Sequence, residues 1–304
     1  MKKRLLSALC ALSMTAALIA APAAETYTVT LTEEQAHSDV PVVLELPLEL
    51  PTKYGSEPVV IKFDAEAKGA AVELDLKGDS KNTDVFFLDT NGCYVKQPDT
   101  FVFNNRLYIV IPSTDLHLVI LEKLPFKDIS AKGWAYSGIS YSYYHKLMGG
   151  TGKDTFAPSK NIDRAQLTTI LWREAGEPAP TKGHSFTDVS KDAYYGSAIL
   201  WAEENGILTG KDGKLNPKGT VSREEMAVML HRYCTVRGMD TSNGVDLSLF
   251  KDHASVSKDA QKAMSWAVFA GIFSGNNNQE LLPQGTVSRE QMATILMRLF
   301  AQLN

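Results

Sequence analysis

Three arginines occupy equivalent positions at the starts of three predicted helices. The segments 163–166, 222–225 and 288–291 read DRAQ, SREE and SREQ. An Asp or Ser followed three residues later by Gln or Glu is the capping-box pattern that begins a helix, and an apolar stripe follows each segment. Arg164, Arg223 and Arg289 therefore stand at the first helical position, where the helix dipole makes a cation unfavourable by ~0.3–1 kcal/mol.

A guanidinium at this position has two kinds of partner. Together with free amides of the first helical turn, it forms a receptor for a carboxylate or phosphate group of a ligand. It could instead pair with an acid of the chain itself, for which the candidates are Asp128, Asp188 and Asp252. The sequence does not decide between these two partners. An arginine can have both if the acid positions it for the ligand.

The arginines belong to a unit that occurs three times in the second part of the chain. Each unit begins with a Phe-x-Asp motif, at Phe126, Phe186 and Phe250, so the offsets are 60 and 64 residues. An apolar helical segment, a glycine-containing turn, a proline and the capped helix follow in the same order. One such unit has too small a core to fold alone, so we expect the three to pack together. We place the repeats at residues 125–180, 181–243 and 244–304.

Glycines and aromatic residues at fixed places in these units are further candidates for ligand contact. The glycine turns are typical of helix C-caps, and close approach of the backbone to a sugar is a second role. Aromatic residues at helical spacing are typical of a core, although some of them can stack on sugar faces. The candidates are Gly150, Gly206, Gly210, Gly271, Gly275, Trp134, Trp201 and Trp266, with Tyr194 and Tyr195 beside them.

The order of these motifs resembles the S-layer-homology domain. The motifs of the family pattern, in order, are Phe-x-Asp-Val, Trp-Ala or Tyr-Tyr, Gly-Ile-x-x-Gly, Phe-x-Pro and Thr/Ser-Arg-x-Glu/Gln. The pattern has three counterparts in this chain. They read FKDI…GWA…LMGG…FAP…DRAQ, FTDV…AYY…GILTG…LNP…SREE and FKDH…SWA…GIFSG…LLP…SREQ, and repeat two follows the pattern best. Departures are Lys146 in place of the first turn glycine, Asp163 beside Arg164, and His253 after Asp252.

This resemblance implies an α+β protein whose repeats form a mainly α, pseudo-threefold spindle around a central helical bundle. Grooves between the repeats would bind secondary cell-wall polysaccharide, whose usual pyruvylated N-acetylmannosamine unit carries a carboxylate on its ketal. The resemblance assigns ligand binding to the motif arginines, the Phe-x-Asp acids and the turn glycines. The ketal carboxylate favours the ligand as the partner of the arginines.

The first part of the chain, residues 24–124, has the pattern of a small all-β domain, a sandwich or a barrel. Strands are predicted at residues 26–31, 42–48, 59–63, 71–76, 85–88, 93–96, 101–103, 107–111 and 116–121. Asn91-Gly92 predicts a hairpin turn, and Asn104-Asn105 predicts another. Cys93 and Cys234 lie in different predicted domains, so we expect two unpaired, buried thiols.

The N-terminus has the pattern of a secretory signal peptide. Lys2, Lys3 and Arg4 precede an apolar run over residues 5–20, and Ala21-Pro22-Ala23 predicts cleavage after Ala23. The mature chain would carry 28 basic and 35 acidic residues, a net charge of −7, which argues against nucleic acid as a partner. No other segment is long and apolar enough to span a membrane. With the resemblance, this predicts an exported protein at the cell wall or cell surface of a Gram-positive type of bacterium, associated with peptidoglycan.

The sequence predicts a noncatalytic protein. It contains no His-Glu-x-x-His zinc motif and no Gly-x-Ser-x-Gly motif, and its six histidines lack metal-ligand spacing. We expect no cofactor and no metal. Two other functions stay open. One is a helical-repeat module whose grooves bind a peptide at the cell surface, and the other is a wall hydrolase with an acidic pair or metal site in residues 25–123.

Overall fold

The fold is α+β over the described part of the chain. The computed structural model describes residues 26–29, 42–49, 59–63, 69–77, 82–97, 100–103, 105–112, 115–181, 186–190 and 192–301. Within these residues, strands come first and helices follow. The predicted signal peptide, residues 1–23, lies outside the described residues.

The strands form two sheets, and all nine predicted strands are confirmed with bounds that differ by at most two residues. In chain order they are β1 Thr26–Val29, β2 Val42–Glu49, β3 Val59–Phe63, β4 Ala71–Lys77, β5 Thr83–Leu88, β6 Tyr94–Val95, β7 Phe101–Phe103, β8 Arg106–Val110 and β9 Asp115–Glu122. One sheet has the order β1-β3-β9-β5-β6 and the other β2-β4-β8-β7. The pairs β1·β3 and β2·β4 are parallel, and the other pairs are antiparallel. Asn91 and Gly92 lie in the β5–β6 turn, as predicted.

The central strand β9 is covered on both faces. Because side chains alternate along a strand, Leu116, Leu118 and Ile120 share one face and pack in a cluster to which both sheets contribute. Val119 and Leu121 point the other way and join the larger core that contains the helices. The five-stranded sheet therefore lies between the other sheet and the repeats.

In the described residues after β9, six α-helices follow, two in each repeat. They are α1 Tyr136–Tyr144, α2 Arg164–Glu174, α3 Gly196–Glu204, α4 Arg223–Val236, α5 Gln261–Phe269 and α6 Arg289–Phe300. Short 3-10 turns at Leu247–Leu249, His253–Ser255 and Lys258–Ala260 precede α5. The three predicted capping boxes are confirmed, with Asp163, Ser222 and Ser288 as the cap residues. Each motif arginine is thereby placed at the first residue of its helix.

The repeats contact one another in a closed cycle. The second helix of each repeat packs on the first helix of the next, as α2 on α3, α4 on α5 and α6 on α1. Backbone hydrogen bonds close the same cycle. The Ile162 N–H donates to the Val287 carbonyl over 2.9 Å, and the Val287 N–H donates to the Val221 carbonyl over 3.2 Å. The Val221 N–H in turn donates to the Ile162 carbonyl over 3.1 Å. All three residues are fully buried. Head-to-tail contacts that close in this way form a ring of three equivalent units.

The β region is docked on the first and third repeats. Tyr136 donates its hydroxyl hydrogen to Asp84, which also pairs with Lys96, and Tyr144 donates to the carbonyl oxygen of Glu122. Cys93 lies against α6, with its Sγ 3.9 Å from the carbonyl oxygen of Met297. These contacts make a continuous core between the two parts of the chain.

Two further expectations can be compared with the described residues. Cys93 and Cys234 are free and buried, which confirms the prediction of two unpaired thiols. Within the described ranges, each helix is too short or too polar to cross a bilayer.

Candidate functional site

The acids of the Phe-x-Asp motifs hold a loop of their own repeat. Each carboxylate accepts hydrogen bonds of 2.7–2.9 Å from two consecutive backbone amides. The pairs are Phe156 and Ala157 on Asp128, Leu215 and Asn216 on Asp188, and Leu281 and Leu282 on Asp252. The second residue of each pair has a positive φ of 59°, 56° or 54°, so that both amides converge on one carboxylate.

These acids do not form ion pairs with the motif arginines. The alternative in which Asp128, Asp188 or Asp252 pairs directly with an arginine is therefore wrong. The hydrogen bond from the Leu215 amide is the main reason that the pKa of Asp188 lies below its ordinary value, and the Asn216 amide adds to the effect. Each acid fixes a loop of its own repeat, and in the first and third repeats the arginine of another repeat also binds that loop.

Arg223 and Arg289 reach out of their own repeats into that loop. Arg223 Nε donates to the carbonyl oxygen of Leu281 over 2.7 Å, and its Nη2 donates to that of Ser274 over 3.1 Å. Arg289 Nε donates to Phe156 over 2.8 Å, and its Nη2 donates to Gly149 over 2.6 Å. Leu281 and Phe156 are thus each bound at two backbone groups. The motif aspartate accepts from the backbone amide of the residue, and the arginine of the preceding repeat in the ring donates to its carbonyl oxygen.

Both guanidinium groups are desolvated cations. Arg289 is only 6% exposed, and Arg223 is partly buried. The Cζ atoms of Arg223 and Arg289 lie 4.7 and 4.6 Å from the ring centroids of Phe273 and Phe156. Burial lowers the pKa of both arginines, while Asp252 and Asp128 act in the opposite direction. Among the described residues, no carboxylate lies within ion-pair distance of either group.

Arg164 has a different set of partners. Its Nη1 donates to Glu225 over 2.9 Å, its Nη2 donates to the carbonyl oxygen of Thr209 over 2.9 Å, and its buried Nε has no hydrogen-bond partner. Glu225 is the third residue of α4 and completes the capping box there. The equivalent residues of α2 and α6 are the neutral Gln166 and Gln291. Of the three motif arginines, Arg164 is therefore the one neutralised by an acid of the described chain.

The expectation of free helix-start amides is wrong. The amides of Arg164, Arg223 and Arg289 donate to the carbonyl oxygens of Gly219, Gly285 and Lys160 over 2.9–3.0 Å. The second amide of each helix donates to the carbonyl oxygen of a motif proline. The third amide donates to the side chain of the cap residue. Ring closure brings these carbonyls to the helix starts, which satisfies the orphan amides. An anion at these sites would meet the guanidinium and not the helix amides.

The turn glycines have structural reasons for their positions. Gly206 and Gly271 follow α3 and α5 with φ values of 65° and 70°, as expected of helix C-caps, and Lys146 takes the same conformation after α1 with φ 59°. Gly150, Gly210 and Gly275 lie against the rings of the motif phenylalanines. A Cβ there would lie 2.7, 2.3 and 2.7 Å from the ring of Phe126, Phe186 and Phe250.

Only some of the candidate aromatic residues can reach a ligand. Trp201 and Trp266 are 7% and 3% exposed and belong to the core, so the prediction that they stack on a sugar is wrong. Trp134 and Tyr194, which precede α1 and α3, are 65% and 60% exposed. An aromatic side chain packs inward when it lies on the helix face that the neighbouring elements bury.

A cation that the sequence analysis missed lies beside Tyr194. The Lys218 Nζ is 5.2 Å from the Tyr194 ring centroid and 3.6 Å from Asp163 Oδ2. Tyr194 is also close enough to Arg289 to act on its pKa. The sequence signal for Lys218 is its place directly after the motif proline Pro217, but only the fold brings it to Tyr194. Tyr194 and Lys218 therefore form an exposed aromatic and cationic pair beside the helix-cap residue Asp163.

The repeat boundary at Arg164 contains an open cleft of about 240 Å³. Its charged lining residues are Arg164, Arg232, Glu224, Glu225 and Asp259, so acids outnumber bases. Glu224 is itself bound by the amide and hydroxyl of Ser257, over 3.0 and 2.7 Å. This cleft is less favourable for an anion than the two boundaries where the arginine has no acidic partner.

A closed ring of three helical repeats, with an arginine crossing each boundary, defines a three-repeat module docked to a β region. Residues 125–168, 185–227 and 249–293 match the S-layer homology domain family. The chain therefore contains three S-layer homology domains.

Curated relatives match about three fifths of the chain. An endoglucanase of Bacillus sp. (strain KSM-635) is 30% identical over 194 residues, 64% of this chain and 20% of the relative. The S-layer protein sap of Bacillus anthracis is 27% identical over 175 residues, 57% of this chain and 21% of the relative. The surface-layer 125 kDa protein of Lysinibacillus sphaericus is 29% identical over 177 residues, 57% of this chain and 14% of the relative. The match thus spans about a fifth or less of the length of these relatives.

Proposed function

We propose that the chain is a noncatalytic cell-envelope protein that its S-layer homology domains anchor to an anionic wall polysaccharide. The observation that carries this proposal is the pair of desolvated guanidiniums, Arg223 and Arg289, without a carboxylate partner among the described residues. A buried cation without a counter-ion is costly, and a ligand carboxylate supplies one in a charge-assisted, bidentate pair. The ketal carboxylate of pyruvylated N-acetylmannosamine has this chemistry.

The proposed location is the wall or surface of a bacterium of Gram-positive type. The S-layer proteins among the relatives support a surface location, and the predicted signal peptide of residues 1–23 supports export. We propose a domain division at residues 24–124, 125–180, 181–243 and 244–304. We also propose a sandwich for the two sheets and a spindle around a central bundle for the repeats. The core shared by both sheets and the closed ring of repeats support these two shapes.

The glycanase relatives fit an anchoring role for the shared segment. The match covers 20% of the endoglucanase and 18% of the exoglucanase XynX of Acetivibrio thermocellus. The matched length of about 200 residues is close to the length of the segment that holds the three repeats. We therefore propose that this chain shares an anchor with those proteins and not their catalytic parts.

The first prediction tests whether the charge of Arg223 binds the wall. Arg223→Gln keeps hydrogen-bond donors near Ser274 and Leu281 but removes the cation, so wall affinity should fall roughly 30-fold or more, about 2 kcal/mol. Arg223→Lys keeps the charge and should lose less. The measurement is sedimentation of the mature full chain with purified wall sacculi over a range of protein concentrations.

Two controls separate binding from folding. Sacculi stripped of secondary polymer by acid should not retain the wild-type chain, and circular dichroism should show equal helix content in all three proteins. Equal affinity of the Gln and Lys variants, or retention by stripped sacculi, would contradict the proposal. Retention by stripped sacculi would point instead to a peptide or protein partner.

A further inference from the structure

A cavity of about 530 Å³ lies where three helices end, among residues that the anchoring role does not use. Tyr141 lies near the end of α1, Leu147 follows that helix, and Phe300 is the last residue of α6. These three side chains are buried and form an apolar part of the lining. The last turn of α2 contributes charged residues to the same lining. We call this the helix-end cavity, and its volume suits a small molecule.

The charged lining of the helix-end cavity contains two bases and two acids. They are Lys146, Arg173, Glu174 and Glu177. Within the described ranges, no ion pair joins one of these bases to one of these acids. Lys146, Arg173 and Glu177 are exposed, so a ligand can reach them from solvent. A lining with both signs of charge and no internal pairing favours a ligand that itself has both signs.

Two of these residues have a backbone conformation that favours glycine. Lys146 and Glu177 have φ values of 59° and 55°. The residues equivalent to Lys146 in the other repeats are Gly206 and Gly271, with φ values of 65° and 70°. A residue with a Cβ is strained in this conformation, and strained residues of this kind cluster at ligand sites. Repeat one thus has a lysine where folding alone favours glycine.

Backbone hydrogen bonds fix the strained residues in place. The Glu177 N–H donates to the carbonyl oxygen of Trp172 over 2.9 Å, and the Trp172 Nε1 donates to that of Pro178 over 2.9 Å. The turn after α2 is therefore bound on both sides of Glu177. The Lys146 N–H donates to the carbonyl oxygen of Tyr143 over 3.0 Å. Because the backbone of these residues is already ordered, binding a ligand costs less conformational entropy.

We infer that the helix-end cavity binds an amino-acid group, a carbon with both an ammonium and a carboxylate. The carboxylate binds to Lys146 and Arg173, and the ammonium binds to Glu174 and Glu177. The carbonyl groups at the helix ends have partial negative charge, which also favours the ammonium. Burial raises the pKa of Glu174, while Arg237 acts against this from 3.1 Å. A ligand ammonium stabilises the charged form of Glu174 further.

Amino-acid groups reach the cavity from two sources. One source is free amino acids, and the other is the diaminopimelate side chain of peptidoglycan peptides, whose far end has both charges on one carbon. The second source rests on the proposed location at the wall. The cavity lies at the opposite ends of α2 and α6 from Arg164 and Arg289. Binding there is therefore compatible with polysaccharide at the motif arginines.

The test uses two matched peptides. Isothermal titration of the mature full chain with the tripeptide alanyl-γ-glutamyl-diaminopimelate should show one equivalent bound. Because most of the charged groups are exposed and screened, we expect a Kd of about 0.1–1 mM. The same tripeptide with lysine in place of diaminopimelate lacks the far carboxylate and should bind roughly 10-fold more weakly. Arg173→Gln should weaken binding of the diaminopimelate peptide by about 10-fold and leave that of the lysine peptide unchanged.

Free alanine distinguishes the two sources. If alanine binds as tightly as the diaminopimelate peptide, the cavity is a site for free amino acids. If alanine binds roughly 10-fold more weakly, the longer side chain of the wall peptide contributes to binding. Both results support an amino-acid site and differ only in its source.

Lys146→Gly separates ligand binding from folding. This variant introduces the residue type found at Gly206 and Gly271, so the melting temperature should not fall. The affinity for the diaminopimelate peptide should fall by about 5- to 10-fold. Lys262→Gln, at an exposed position of α5 outside the cavity lining, is the matched control and should keep wild-type affinity. Equal binding of the two tripeptides, or wild-type affinity of both Lys146→Gly and Arg173→Gln, would overturn the inference.

Wall sedimentation separates failure of this inference from failure of the proposed function. Arg223→Gln should lose wall affinity and still bind the diaminopimelate peptide like wild type. A millimolar site does not by itself hold the chain on acid-stripped sacculi. If wild type sediments with intact sacculi but binds neither the peptide nor alanine, only the cavity site is lost. If it binds the peptide but not the sacculi, the proposed function fails and the cavity site stands.

Discussion

At the scale of single residues, the motif arginines are stable at helix starts because they do not act on their own helix. The first amides of each helix are already bound by loop carbonyls, so little of the positive end of the dipole is exposed to the guanidinium. The guanidinium extends to carbonyl oxygens of the next repeat, which carry partial negative charge. The unfavourable position in the sequence is therefore a consequence of contacts between repeats.

His145 is an exposed residue whose ring packs against two tyrosines. Its ring stacks on Tyr141 with centroids 4.1 Å apart, and its Nε2 lies 3.4 Å from the Tyr94 hydroxyl oxygen. Desolvation of the ring by these contacts lowers the pKa of His145 to about 4. The helix-end cavity of about 530 Å³ has His145 in its lining, together with the charged residues Lys146, Arg173, Glu174 and Glu177.

The lowered pKa of His145 predicts a small loss of stability in mild acid. Below pH ~6.5 the unfolded chain binds a proton at His145 that the folded chain does not bind, so stability falls as pH falls from ~6.5 towards 4. Because His145 is exposed, solvent screens this effect, and we expect its contribution to be at most about 1 kcal/mol between pH 7 and pH 4.5. Urea unfolding at both pH values measures it, and His145→Gln should lose that part of the pH dependence. An unchanged dependence in the variant would show that other groups cause it.

At the scale of elements, the closest helix contact closes the ring of repeats. A Cβ at Gly138 in α1 would lie 2.7 Å from Cα of Thr294 in α6, so the two backbones touch at this point. Only glycine permits such an approach, and the opposing atom belongs to backbone that cannot rotate away. Ser142 strengthens the same contact by donating to the carbonyl oxygen of Ala293 over 3.1 Å.

Gly138→Ala should therefore separate α1 from α6. We expect the free energy of unfolding to fall by about 1–3 kcal/mol, although alanine favours helix in isolation. Urea denaturation followed by tryptophan fluorescence measures the change. Ser137→Ala, the neighbouring substitution in α1, is the control and should have little effect. A Gly138→Ala protein as stable as wild type would mean that the two helices are farther apart.

Much of the secondary structure could be predicted from the sequence of single elements. The nine strands, the hairpin at Asn91 and Gly92 and the three capping boxes depend on residues within one segment, and all of them are confirmed. The helical spacing of Trp201 and Trp266 is typical of core residues and both are buried, so the ligand contact proposed for them is the part that failed.

At the scale of the whole molecule, the β region and the repeats share one core. Tyr136, Tyr144 and Cys93 connect the five-stranded sheet to α1 and α6. Helix α6 has Arg289 at its first residue and contacts the β region near its last turn, at Met297. Arg289 and the contact with the β region therefore lie near opposite ends of this helix.

This shared core predicts a single cooperative unfolding transition. All four tryptophans lie in the repeats, so their fluorescence reports on that part, whereas labelling of the buried Cys93 thiol reports on its interface with the β region. The urea midpoints of the two signals should coincide, and Tyr136→Phe should lower both by the same amount, about 1–3 kcal/mol in free energy. Separate midpoints in the wild-type chain would show that the two parts unfold independently.

The sequence by itself determined the three repeats, their motif order, the helix starts and the strand positions. These features depend on period, capping and turn residues, all of which act over a few neighbouring positions. It also indicated, through Gln166, Glu225 and Gln291, that one repeat carries an acid where the others carry an amide.

Only the tertiary structure decided what each arginine and aspartate contacts. The partner of Arg164 is 61 residues away along the chain, and Arg289 binds carbonyls 133 and 140 residues away. Such pairs exist because the ring closes, which brings the third repeat back against the first. Closure arises from the summed packing of all three repeats, and no local pattern in one repeat specifies it.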